Sequence, residues 1–200
     1  MLPIQMVDLQ SQYRQLKKEL DARVIGCIES GAYIQGPEVK SFEADLGKYL
    51  DDAHVIACAN GTDALQIALM ALELDPGDEV IVPSFTFVAS VEVIALLGLK
   101  PIVVDVDPRS FLLKIEDIEA SLSPRTKAII PVHLFGQCVN MKALMAIAKN
   151  RDLFVIEDNA QSIGARCIAT GDAKEMSGTI GHIGCTSFYP SKNLGCYGDG

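Results

Sequence analysis

Four short runs, EVIVP at 79–83, IVVDV at 102–106, AIIPV at 128–132 and LFVIE at 153–157, are apolar at nearly every position and rich in β-branched residues. Strands apolar on both faces need cover on both faces. They are typically parallel, because each return crossing requires about a dozen residues and brings a helix with it. The stretches between them supply those helices: about Asp63–Leu74, a segment ending near Leu97, residues 115–122, and MKALMAIA from Met141. HVIACA at 54–59 reads as one more strand. The pattern predicts an α/β chain with a mostly parallel central sheet flanked by helices.

Ahead of this region, Tyr13, Leu16, Leu20, Val24 and Ile28 recur at helical spacing, which predicts an amphipathic helix docked on something larger. Pro37 and Glu38 then open a second helix that carries Val39, Phe42, Leu46 and Leu50 inward. With 200 residues and no tandem repeat or linker, one domain with one sizeable core is expected. Val80–Leu99 is long enough to imitate a bilayer span, but Pro83, Ser84, Thr86, Ser90 and Glu92 interrupt it, so it reads as strand, turn and helix. Met1–Asp8 lacks the basic start and apolar centre of a signal peptide. Six cysteines, at 27, 58, 138, 167, 185 and 196, form no CxxC pair and read as reduced thiols of a cytoplasmic protein, mostly core filler, with no metal site. Seventeen basic against 26 acidic residues give a net charge of −9, which disfavours nucleic acid as a partner.

Parallel sheets bind ligands beyond the carboxyl ends of their strands, which directs attention to Asn60–Asp63, Pro83–Phe87, His133 and Asp158–Gln161. Asn60-Gly61-Thr62, between a strand and a helix, offers amides, a helix dipole and a hydroxyl to a phosphate; the same residues also make an ordinary N-cap. Neither GxxxxGK nor a GxGxxG after a strand is present. Glu157 and Asp158 close a strongly apolar strand, where a carboxylate needs a cation or several donors; a ligand cation, a cap or a surface pair would each satisfy that need. Gln161 either donates to the same ligand or caps the turn. Ser187 stands near the end of a short strand, and Lys192 lies in the Pro-Ser-Lys-Asn turn that follows. A desolvated lysine becomes a nucleophilic amine, whereas a lone lysine ordinarily faces solvent.

NGTDAL, PSFTF, DVDP, SPRTKAIIPVHLFGQ, EDNAQSIGA and SFYPSKNLG followed by GDG occur in the order found in the DegT-type nucleotide-sugar aminotransferases. The resemblance runs from about Asp8 to Gly200. It implies the large domain of a fold type I enzyme that uses pyridoxal 5'-phosphate (PLP). By this resemblance Lys192 matches the lysine bonded to the cofactor, and Asp158 the carboxylate facing its pyridine nitrogen. A protonated ring nitrogen makes the ring an electron sink, and the displaced lysine moves the proton as general base and acid. Ser187, Gly61, Thr62 and the backbone of Asp63 match the phosphate cradle. Phe87 resembles the aromatic stacked on the ring, with Phe85 as the alternative, and Gln161 matches the residue beside the phenolic oxygen. Tyr33, Tyr189 and Asn193 are candidate substrate contacts. The chain has EDNAQSIGA where EDAAQAHGA is common, so Asn159 and Ile163 alter the substrate side. His133 is similar to a family residue near the site, and equally to a packed core histidine.

The resemblance implies transfer of an amino group, from glutamate in the family's manner, to a keto group, at C3 in the similar members, of a nucleotide-linked sugar in polysaccharide biosynthesis. Members are homodimers and longer; a smaller C-terminal domain follows the GDG region and is not part of this chain. The dehydratase branch carries a histidine where this chain has Lys192. The alternatives are a non-catalytic PLP-binding sensor or partner protein, and an inactive fragment of such an enzyme.

Overall fold

The computed structural model describes residue 4, residues 6–169 and residues 173–200, so the reading of Met1–Asp8 lies largely outside the described residues. The chain divides into two compact units, Met1–Ala57 and Cys58–Gly200, where one domain was expected.

The first unit holds α1 (Leu9–Ser30) and α2 (Pro37–Tyr49). Asp8 caps α1 by accepting from the Ser11 amide at 2.9 Å, and Gly31 ends it in a left-handed conformation that side chains resist. None of α1's residues is buried, and Leu16, Val24 and Ile28 are exposed. Helical spacing identifies an apolar face, and within its own unit α1 buries none of it. Pro37 opens α2 as predicted, but only Leu50 of the four expected inward residues is buried, and Phe42 is exposed. Residues 54–59 are not a strand. A strand exists only where a neighbour takes its backbone hydrogen bonds; here the Ala57 amide goes to the Glu43 carboxylate at 2.8 Å, and Ile56 is 74 % exposed.

The second unit runs α3 (Gly61–Ala71), β1 (Glu79–Pro83), α4 (Ala89–Leu96), β2 (Lys100–Val104), α5 (Ile115–Ser121), β3 (Thr126–Ile129), α6 (Met141–Arg151), β4 (Phe154–Asp158), β5 (Arg166–Ile168), β6 (Lys174–Met176) and β7 (Ile183–Cys185). Five strands form one parallel sheet in the order β2-β1-β3-β4-β7, and β5 and β6 make a small antiparallel pair that periodicity did not reveal. The second strand ends at Val104, and Val106 instead bridges to Leu113.

Alternation along the strands explains the two-sided core. Val80, Val82, Ala128, Ile130, Ile156 and Cys185 pack with Leu65 and Leu69 of α3 and with Val93 and Ile94 of α4. Ile81, Ile129 and Val155 point the other way and pack with Ile118 of α5 and Met141 and Leu144 of α6. Period two puts successive residues on opposite faces, so this sequence of strands must be sandwiched. Of the six cysteines only Cys185 is buried; the other five are half-buried, which corrects their reading as core filler. Because all five strands are parallel, Pro83, Val104, Ile129, Asp158 and Cys185 end at one edge of the sheet. Among the described residues no helix is long and apolar enough to cross a membrane.

Candidate active site

The parity of β4 separates its two acidic residues. Asp158 continues the Ile156 side, facing α3 and α4, while Glu157 continues the Val155 side, facing α5 and α6. Glu157 is fully buried and receives four donors: His133 Nε2 at 2.8 Å, the Gly178 amide at 2.9 Å, Ile180 at 2.7 Å and Gly181 at 2.6 Å. Burial pushes its carboxyl up, but the His133 bond and the amide bonds outweigh that and hold it below the ordinary carboxylate value. His133 Nδ1 accepts from the Val139 amide at 3.2 Å, so the neutral ring carries its proton on Nε2, toward Glu157. His133 is therefore a core histidine that ties the segment between β3 and α6 to β4, while the three amide bonds to Glu157 tie β4 to the segment leading into β7. A hydrogen bond to a charged group of this kind contributes about 1.5–3 kcal/mol.

Asp158 is the opposite case. Only 6 % exposed, it has two donors: Ser90 Oγ to Oδ2 at 2.8 Å and the Ala160 amide to Oδ1 at 3.2 Å. Burial raises its pKa, and the bonds from Ser90 and Ala160 and the charge of Lys192 oppose the rise without cancelling it. Lys192 lies in the turn that follows Ser187. Its turn is closed by Lys192 N to Tyr189 O at 2.8 Å and Gly195 N to Lys192 O at 3.0 Å. A Cβ at Gly195 would stand 2.2 Å from the Pro190 carbonyl oxygen, so this turn requires glycine there. Lys192 is half-buried, and Tyr189 and Asn193 are exposed beside it.

On the same face as Asp158, Asn60 caps α3 by accepting from the Asp63 amide at 2.8 Å. The Asp63 amide is thereby engaged, while the amides of Gly61 and Thr62 belong to the first turn, where a helix provides no acceptor. Gly61 sits against Ser187: a Cβ on it would be 2.7 Å from Ser187 Cβ and 3.2 Å from Oγ. This close approach brings the Ser187 hydroxyl to the positive end of α3. Gln161 Oε1 accepts from the Phe135 amide at 3.0 Å, leaving its Nε2 hydrogens for another acceptor. Phe87 is 65 % exposed, whereas Phe85 leans on Phe111 with ring centroids 5.3 Å apart. Asn159 is buried, accepts from Ser162 Oγ and donates to Thr186 Oγ1 at 3.3 Å, so it braces the strand end.

The structure therefore brings Gly61, Thr62, Asp63, Asp158, Gln161, Ser187 and Lys192 into one unit, with Phe87 in the loop after β1. Tyr33 belongs to the first unit, where its hydroxyl donates to the Ile28 carbonyl at 2.8 Å. Sequence reasoning missed Ser90 as a partner of Asp158. Only the fold brings them together: Ser90 lies in the first turn of α4, which covers the face to which Asp158 points. Among the described residues no cluster of potential metal ligands is found.

A buried acid at the carboxyl end of β4 and a helix N-terminus met by a serine hydroxyl thus stand on one face of a parallel sheet. The fold agrees with a crystal structure of an aminotransferase from Brucella abortus, with a TM-score of 0.90 and 47 % identity, over 98 % of this chain and 53 % of that one. It also matches a sugar aminotransferase from Streptococcus pneumoniae solved in a PLP form, with a TM-score of 0.80 and 30 % identity, over 87 % of this chain and 47 % of that one. The UDP-2-acetamido-2-deoxy-3-oxo-D-glucuronate aminotransferase of Pseudomonas aeruginosa is 49 % identical over 98 % of this chain and 54 % of its own. Residues 14–200 match the model of the DegT/DnrJ/EryC1/StrS aminotransferase family, and the chain belongs to that family. It spans about half the length of the curated relatives it matches.

Proposed function

We propose that this chain forms most of the cofactor-binding large domain of a PLP-dependent aminotransferase that moves an amino group, supplied by glutamate, to the 3-keto group of a nucleotide-linked sugar. What supports the reading is the Ser187 hydroxyl against the N-terminus of α3, with buried Asp158 at the carboxyl end of β4 on the same face of the sheet and half-buried Lys192 in the turn that follows Ser187. The donor set fits PLP. The Gly61 and Thr62 amides, the helix dipole and the Ser187 hydroxyl suit a phosphate dianion. Phe87 has an open ring for stacking, and Gln161 keeps its amide hydrogens for the phenolic oxygen.

When bound, the cofactor supplies an electron sink for a carbanion at the substrate carbon. Asp158 would face the ring nitrogen and, as its carboxylate, would favour a proton there. Lys192 anchors the cofactor and, once released by an incoming amine, moves the proton to and from the reacting carbon. Tyr189 and Asn193, flanking Lys192, and Tyr33 are the proposed substrate contacts. Assignment of the keto group to C3 is supported by the Pseudomonas relative, whose name specifies a 3-oxo sugar. A cytoplasmic homodimer is part of the same proposal.

The test is a half reaction. The cofactor-loaded chain, mixed with glutamate, is expected to lose visible absorbance as 2-oxoglutarate forms, and to regain it with a 3-keto nucleotide sugar. Lys192→Ala should show neither change. Bound cofactor with no transfer to any member of a keto-sugar panel would restore the sensor reading.

A further inference from the structure

We propose that Ser90, with Thr86 behind it, is a positioning residue for Asp158: a two-hydroxyl relay that donates into the carboxylate and fixes its charge and aim. The inference rests on the reading that Asp158 faces the cofactor's ring nitrogen. Ser90 is fully buried in the first turn of α4, on the helix that covers the Asp158 side of the sheet. Its hydroxyl meets Oδ2 at 2.8 Å, a shorter contact than the 3.2 Å bond from the Ala160 amide to Oδ1. Thr86 Oγ1 lies 3.0 Å from Ser90 Oγ.

The direction of the relay follows from counting hydrogens. A serine hydroxyl has one proton, and an ionised carboxylate has none to give. Ser90 must therefore donate to Asp158, which leaves its oxygen as acceptor and makes Thr86 the donor to Ser90. A chain running Thr86 to Ser90 to Asp158 polarises each bond in turn and strengthens the last one.

Donors to the charged form of an acid lower its proton affinity. With one proton shared between Asp158 and the facing ring nitrogen, the relay moves it toward the nitrogen. Ser90→Ala lets it retreat to the carboxyl. The ring then draws electrons less strongly, and the nitrogen bonded to the cofactor at Lys192 keeps its own proton to higher pH. A merely structural tie between α4 and β4 would alter stability and leave that titration in place.

The experiment titrates the visible absorbance of the cofactor-loaded full chain. Ser90→Ala should raise the midpoint by roughly 0.5–1 pH unit. Thr86→Val, at a half-buried position, should raise it by less, and Ser90→Thr, which keeps the hydroxyl, should return it toward the parent. Asp158→Asn should move it most. If Asp158→Asn moves the midpoint while Ser90→Ala and Thr86→Val leave it alone, the relay is overturned and the cofactor reading stands. If Asp158→Asn leaves it unmoved, the cofactor reading itself fails and the relay with it. Should Ser90→Ala not fold, Thr86→Val decides alone.

Discussion

Glu157 and Asp158 are adjacent in sequence and opposite in environment. Glu157 has four donors and is held below the ordinary carboxylate value; Asp158 has two and is pushed above it. Neighbouring acids whose environments drive them apart divide structural from chemical duty. The consequence for stability has a definite sign. Because the native pKa of Asp158 is raised, its contribution is fully present below the unfolded value, near 4, and is lost as pH rises through the native value. In the cofactor-free chain, Asp158→Asn should therefore unfold at a higher temperature than the parent at pH 8, with the gap closing toward pH 4, as read by thermal melts across pH. Asp158 was conspicuous in the sequence as a polar residue closing an apolar strand, whereas Lys192 was singled out by the family resemblance and not by its spacing. Ser90 was neither: its partner is 68 residues away, and alone it reads as a polar interruption in an apolar segment.

The elements that place the site are α3, β4 and β7, and their junction is tight where Gly61 meets Ser187. A Cβ 2.7 Å from another Cβ forces one element to move. Gly61→Ala should preserve the helix, since alanine favours it, but weaken cofactor binding about tenfold or more through loss of a charge-assisted hydrogen bond. Circular dichroism and a PLP titration together check both halves of that statement. Strands β1, β3 and β4 were legible because burial on both faces leaves continuous apolar runs. HVIACA has the same composition and fails as a strand because pairing is decided by a neighbour, which the local sequence does not contain. Helix α1 shows the same limit: its spacing gives the helix and an apolar face, and nothing in that spacing says what the face packs against.

At the scale of the molecule, the second unit contains the proposed cofactor anchor, acid and phosphate cradle together, and the first contributes Tyr33 to the proposal. The net charge of −9 is compatible with a phosphate-bearing ligand, since binding draws on local dipoles and cations at the sheet edge. The resemblance in ordered motifs revealed the family, which the family match over residues 14–200 bears out. Spacing alone left each motif with an ordinary capping or surface explanation, and Asn60 does cap α3. The most direct test of the account is chemical trapping. The chain loaded with PLP is treated with borohydride, which makes the lysine–cofactor bond permanent, and digested for peptide mapping. The account predicts the label on Lys192 alone, abolished in Lys192→Ala; a label on another lysine, or none despite bound cofactor, would contradict it.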